Sequence, residues 1–206
     1  MLNPADFCFN TLNGRKPTLL ISACLLGEPV RYDGKSRPQP QLVESFRHYC
    51  EITAICPEVG AGLPVPRPPV QLVDSQQQLH ALGVEEKGLD VTDTLVNFAH
   101  KLAQLPPAHG MIVKSRSPSC GFGSTPIFNR SREQIRVGNG LFSQTIRQQW
   151  PDTLICEDEA LLTDKQRRHF LLACYQQLDK QLTHADDMLA FIEHWQTVGS
   201  ALIASA

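Results

Sequence analysis

Four short apolar runs alternate with helix-period segments along residues 17–155, and this alternation restricts the fold more than any other feature of the chain. Pro17–Ala23, Ile52–Ile55, Gly110–Val113 and Asp152–Ile155 read as short buried strands. Between the first two, Gln41–Cys50 puts Leu42, Val43, Phe46, Tyr49 and Cys50 on one helical face. A second helix, capped by Asp90 or Thr92, runs to about Gln104 with Leu95, Val96, Ala99, Leu102 and Ala103 inward. Gly140–Trp150 is a third, with Leu141, Phe142, Thr145 and Ile146 inward. Strands alternating with helices predict an α/β fold built on a mostly parallel sheet with helices on both faces. Val59–Pro69 holds prolines and glycines that predict irregular backbone, and Val70–Val73 with Leu79–Val84 reads as a hairpin flap. Beyond residue 160, Thr163-Asp-Lys-Gln166 fits a capping box, and Phe170, Ala173, Cys174 and Leu178 form a helix stripe. A further helix is expected from about Ala185, with Met188, Ile192 and Trp195 on one face.

Composition narrows the function. At 206 residues, 42% hydrophobic and 19% charged, the chain has the balance of one globular domain with an extension. The longest apolar stretch, Thr18–Leu26, is far short of the ~20 residues of a membrane span. Residues 1–16 contain no apolar run of signal-peptide length, so a cytoplasmic setting is expected. Net charge is −2 and no long basic run occurs, which argues against a large duplex-DNA footprint. Seven cysteines, an odd number, fit core filling or metal and redox chemistry better than a disulfide framework.

Three of those cysteines stand where core filler would not. Cys24, Cys56 and Cys120 each follow a predicted strand or its exit loop. In open α/β sheets the ligand crevice lies outside the carboxyl ends of the strands, so these loops converge. The intervals are too wide for a ferredoxin run or a zinc ribbon. Pro57 and Glu58 after Cys56, and Pro118 and Ser119 before Cys120, are not core surroundings, although three small buried cysteines remain the competing reading. Cys50 and Cys174 fall on apolar helix faces and read as core; Cys8, in the lead-in, reads as inert. Cys156 also ends a predicted strand, and as a fourth ligand it would close a four-thiolate structural or electron-transfer module. Three thiolates alone would leave one iron of a [4Fe–4S] cluster open to act as a Lewis acid.

Glu58 lies two residues past Cys56 and is a candidate general base toward water. Ser115, Ser117 and Ser119 could bond a water or a ring carbonyl, in competition with ordinary turn capping. Arg31, Arg37, Arg67, Lys114 and Arg116 fall in the same loops and suggest a cationic rim for an anionic or nucleotide-like substrate. The histidines, among them His100, His109, His184 and His194, show no metal spacing, and no glycine-rich phosphate motif is present.

Taken together, Ser22-Ala-Cys-Leu-Leu-Gly27 with Val30-Arg-Tyr-Asp-Gly34, Cys56-Pro-Glu58 with Gly62-Leu-Pro64 and Pro66-Arg-Pro-Pro69, and Lys114-Ser-Arg-Ser-Pro-Ser-Cys-Gly121 resemble the thiouracil desulfidase family, long catalogued as domain of unknown function 523. The resemblance covers about residues 17–160. It implies a Rossmann-like domain binding a [4Fe–4S] cluster through cysteines that match Cys24, Cys56 and Cys120, with the remaining iron taking the sulfur of a thiolated uracil. It implies Glu58 as the catalytic acid–base residue and a catalytic serine matching Ser117, with Ser115 second. The expected organisation is a lead-in over residues 1–16, the desulfidase-like α/β domain over 17–160 and a C-terminal helical appendage over 161–206. The expected substrate is a small thio-pyrimidine; thiolated RNA or a nucleoside is the alternative, with no membrane partner.

Overall fold

Thr18–Ser22 forms β1, and its alternation organises the molecule: Leu19 and Ile21 face one side of the sheet, Leu20 the other, and all three are buried. The computed structural model describes residues 14–75 and 78–179. The lead-in with Cys8, the helix expected from Ala185, and His184 and His194 lie outside the described residues. Within them the chain forms β1, a 3-10 turn Ala23–Leu26, α1 (Pro40–Arg47), β2 (Glu51–Ile55), α2 (Pro57–Gly60), β3 (Val70–Ser75), β4 (Gln78–Gly83), α3 (Thr92–Leu102), β5 (Gly110–Val113), β6 (Phe122–Phe128), β7 (Gln134–Asn139), α4 (Leu141–Gln149), β8 (Leu154–Glu157), a second 3-10 turn Asp158–Ala160 and α5 (Asp164–Leu178).

The first sheet has the order β2-β1-β5-β8 and is parallel throughout. The chain runs from β1 to β2 on one side and then crosses to β5 on the other. The switch point therefore lies between β1 and β5, where α/β folds open a crevice. Leu42, Val43 and Phe46 of α1 and Leu171 and Tyr175 of α5 cover the Ile21 side. Ala99 of α3 and Phe142 and Ile146 of α4 cover the Leu20 side with Met111 and Val113. Each fully buried side chain of this size is worth ~1.5–3 kcal/mol relative to exposure. The helices on both faces are thus held by the hydrophobic pattern that predicts them. Proline opens α1 at its first position, where a missing N–H is harmless. The capping box Thr163/Gln166 opens α5 as expected. At α3 neither Asp90 nor Thr92 is the cap. Val91 occupies that position, Asp90 Oδ1 accepts from Thr92 N, and Thr92 Oγ1 accepts from Ala81 N.

Residues 122–139 form strands that no period in the sequence marks. β6 and β7 join the β3–β4 hairpin in a second sheet, order β4-β3-β6-β7. Leu72, Ala81 and Ile127 of this sheet pack with Leu95 and Leu141 of the helices. β7 is an edge strand, and Gln134–Val137 are exposed in succession, so no burial alternation exists to be read. β8 begins at Leu154, after a turn in which Thr153 Oγ1 donates to Ala108 O at 2.6 Å. The expected strand Asp152–Ile155 is therefore displaced, and Cys156 lies inside β8, paired with Ile112, instead of beyond it. Among the described residues no helix is long and apolar enough to cross a membrane.

Candidate metal centre

All four strands of the parallel sheet end at one edge, and the loops that leave them line a cleft of about 910 Å³. Cys24 reaches it from the 3-10 turn after β1, Cys56 from the residue between β2 and α2, and Cys120 from the loop between β5 and β6. Residues 32 and 64 apart in sequence meet because β2, β1 and β5 are neighbours. Cys56 does not sit in β2 because Pro57 stops the ladder and opens α2.

Burial raises all three thiols. Cys24 is pushed up to about 12, first by burial and then by the charges of Cys120 and Cys56, against the opposing pull of Arg31 and Lys114. Cys56 is raised by burial, although the backbone N–H groups of Val59 and Glu58 favour its thiolate. Cys120 is raised by burial against hydrogen bonds from Ser117, Ser22 and the Lys114 amide. Ser22 Oγ lies 3.6 Å from Cys120 Sγ and also accepts from Lys114 N at 3.0 Å. Thiols held neutral by burial become ligands when a cationic group compensates the charge of their thiolates. Among the described residues no three His, Cys, Asp or Glu side chains gather closely enough to hold a single ion. The donor set is not the usual mononuclear zinc site; it is soft, all sulfur and three-membered.

Glu58 joins the cysteines in the cleft. Its Oε1 accepts the hydroxyl of Ser119 at 2.7 Å, and its Oε2 accepts from Arg67 Nε. Ser119, not Ser117, is therefore the serine bonded to Glu58. Ser117 lines the cleft, and its Oγ accepts the amides of Ser119 at 3.3 Å and Cys120 at 3.2 Å, the turn-capping role that competed for it. Ser115 is buried at the cleft wall; its Oγ accepts from Lys114 Nζ and its amide donates to Asp158 at 2.7 Å. The cationic rim is largely internally paired: Arg31 with Asp33, Arg67 with Glu58, Lys114 with Asp158 and Arg116 with Glu159. Arg37 lines the cleft and is exposed.

The sequence reading missed Glu157, Asp158 and Glu159, three consecutive acids leaving β8. Glu157 accepts from Phe122 N at 2.6 Å and Ser124 Oγ at 2.8 Å. Asp158 holds Lys114 and Ser115, and Glu159 holds Arg116, whose φ of 59° is left-handed. Together they grip the segment that carries Cys120. The available signal was a run of acids at a strand end, on the edge where the crevice opens. Cys156 is not among the cleft residues; its side chain packs on the α1/α5 side of the sheet, and burial pushes its thiol up to about 11. Cys50 and Cys174 lie in the core, as their helix-face positions predict.

A model of the 2-thiouracil desulfurase family matches residues 19–159. A solved structure of a [4Fe-4S]-dependent thiouracil desulfidase, TudS (DUF523Vcz), is similar with a TM-score of 0.54 and 33% identity, over 71% of this chain and 93% of that one. No curated protein sequence matches significantly. The matched span begins in β1, contains all three cleft cysteines and ends at the last acid gripping the Cys120 loop, and by that match the chain belongs to the 2-thiouracil desulfurase family.

Proposed function

We propose that this chain removes the sulfur of a thiolated uracil, using a [4Fe–4S] cluster held by Cys24, Cys56 and Cys120. The observation that carries the reading is the convergence of three thiols, buried at Cys24 and Cys120 and half-buried at Cys56, from the ends of three neighbouring strands, on a cleft that also holds Glu58. Membership of the family and the likeness to a [4Fe-4S]-dependent desulfidase support the same chemistry. When bound, a cluster with three cysteine ligands supplies an iron with an open position, a soft Lewis acid for a thiocarbonyl sulfur.

The chain's own groups do the remaining work. Overall, water replaces sulfur at the ring carbon: a C–O bond forms, the C–S bond breaks, and uracil and hydrosulfide leave. Glu58 takes the proton from the attacking water. Each carboxylate oxygen has two lone pairs, so its bonds from Ser119 and Arg67 leave it free to accept another. Ser117, whose hydroxyl proton donates while its oxygen accepts two amides, orients water or the ring carbonyl, with Ser115 second in that role.

The test is anaerobic reconstitution, with iron and sulfide counted beside an assay for hydrosulfide released from thiouracil. The expected result is about four irons and four sulfides per chain and catalytic hydrosulfide release, both lost in Cys56→Ala. A reconstituted chain that binds iron fully but releases no hydrosulfide from any thio-pyrimidine would overturn the desulfuration reading. Full iron loading without Cys56 would overturn the ligand assignment.

A further inference from the structure

Glu58 is held from two sides. Arg67 lies on the loop between α2 and β3, and its side chain is only 5% exposed. Its Nε donates to Glu58 Oε2, Nη1 donates to the carbonyl of Pro64 at 3.1 Å, and Nη2 donates to the carbonyl of Val30 at 2.8 Å. One planar guanidinium therefore ties together the exit loop of β1, the proline-rich loop and the carboxylate of α2. Ser119, 1% exposed, completes the grip with its 2.7 Å bond to Oε1. Glu58 follows Cys56 by two residues and Ser119 directly precedes Cys120, so the carboxylate is strung between two of the loops that bring cysteines to the cleft.

This arrangement does not suit a substrate-binding cation, because every nitrogen of Arg67 already faces a protein acceptor. We infer that Arg67 is the positioning residue of Glu58, with Ser119 as its second anchor. It fixes the carboxylate in one orientation toward the cleft instead of meeting the substrate. The inference rests on the reading of Glu58 as the base. Arginine suits the task because its donors form a rigid fork, whereas a lysine brings charge without that fork. Misplacing a catalytic group by about an ångström costs on the order of 10²-fold in rate. A residue that acts only through Glu58 has a second signature: its loss has no effect once the carboxylate is gone.

The experiment uses the anaerobically reconstituted wild type, Glu58→Gln, Arg67→Met and the double variant. For each, kcat and KM for hydrosulfide release from thiouracil are measured beside the visible spectrum and iron content. Arg67→Met is expected to lower kcat about 10²-fold with KM and the cluster spectrum unchanged, and the double variant to match Glu58→Gln. Arg67→Lys is expected to recover part of the rate. Ser119→Ala, which keeps the buried pair, is expected to lower kcat with the same non-additivity, and it carries the test if Arg67→Met does not fold or does not load iron. Losses that multiply in the double variant, or a raised KM at constant kcat, would overturn the positioning role while an impaired Glu58→Gln leaves the base assignment standing. Unchanged kcat in both Arg67→Lys and Ser119→Ala would overturn it as well. Near-normal turnover of Glu58→Gln removes the base itself and this inference with it.

Discussion

A raised thiol pKa does not by itself mark a ligand. Cys50 is pushed up by burial to about 12, as Cys24 is, yet it lies in the core. What separates Cys24, Cys56 and Cys120 from Cys50 is placement, and that was legible: each follows a strand in its exit turn or loop, with glycine, proline or serine within three residues, and each lines the cleft, Cys24 and Cys120 while also touching the core. Replacing any of the three with alanine should abolish the cluster's visible absorption, whereas Cys156→Ala should keep both absorption and turnover. Loss of the cluster in Cys156→Ala would revive the four-thiolate module. Glu58→Gln should load iron normally while turnover falls about 10²–10⁴-fold, the usual contribution of a general base. Gly121 supplies a steric test of the same loop. A Cβ there would lie 2.2 Å from Thr125 Oγ1 and 2.8 Å from the Ser117 carbonyl. Thr125 is itself fixed by donating to that carbonyl at 2.9 Å, so neither atom can yield easily. Gly121→Ala should therefore displace Cys120 and lose iron even though every ligand is present.

Among the elements, β1, β5, α1, α3 and α4 were readable because each buries one face or both, and burial writes a period into the sequence; β2 was readable from Ile52 and Ile55 ahead of Cys56-Pro57. β7 buries almost nothing and wrote none. β8 was read two residues early, and that small displacement is what made Cys156, half-buried against the core, an alternative fourth ligand. The acids at the end of β8 had no period either, because their partners, backbone amides and side chains of residues 114–124, lie 33 to 44 residues away in the chain and meet them only in the fold. Glu157→Gln and Asp158→Asn should each speed hydrogen exchange across residues 114–124 and shorten the lifetime of the bound cluster. Glu159→Gln should do much less, since its pair with Arg116 is 60% and 44% exposed, and exposed ion pairs contribute little. Equal effects from all three would mean that net charge, not grip, matters. At the opposite end of the sheet, His109 Nδ1 accepts from Thr18 N at 2.9 Å, which requires an unprotonated Nδ1. Burial lowers this imidazole below its ordinary 6.5. The unfolded chain then binds the proton more readily, so the contribution is fully present above pH 6.5 and is lost as pH falls through the lower folded value. The drop in melting temperature across that window should shrink in His109→Asn; an unchanged drop would place the pH dependence elsewhere.

For the molecule as a whole, the helix that the sequence sets apart as an appendage closes the core. The family match ends at residue 159, yet Leu171, Cys174 and Tyr175 of α5 are buried against the Ile21 side of the sheet. Phe170 meets Phe46 edge-on with ring centroids 6.0 Å apart, and Arg167 donates to Ser45 of α1 at 2.9 Å. Tyr175 is fully buried, and its hydroxyl donates to the Tyr49 carbonyl at 2.9 Å. Cys24 and Leu25 belong to this same packed cluster, so the floor beneath the first cysteine rests on a layer that α5 completes. Removing the Tyr175 ring should leave a cavity the surrounding helices cannot close, costing about 3–5 kcal/mol as for other large aromatic truncations. Tyr175→Phe fills the same volume and loses one hydrogen bond, about 0.5–1.5 kcal/mol. In urea unfolding of the cluster-free chain, Tyr175→Ala should move the midpoint far more than Tyr175→Phe, at unchanged slope. Tyr175→Phe should load iron like the wild type, whereas Tyr175→Ala should lose it in step with stability. A midpoint unmoved by Tyr175→Ala would show that α5 only rests on a core already complete without it.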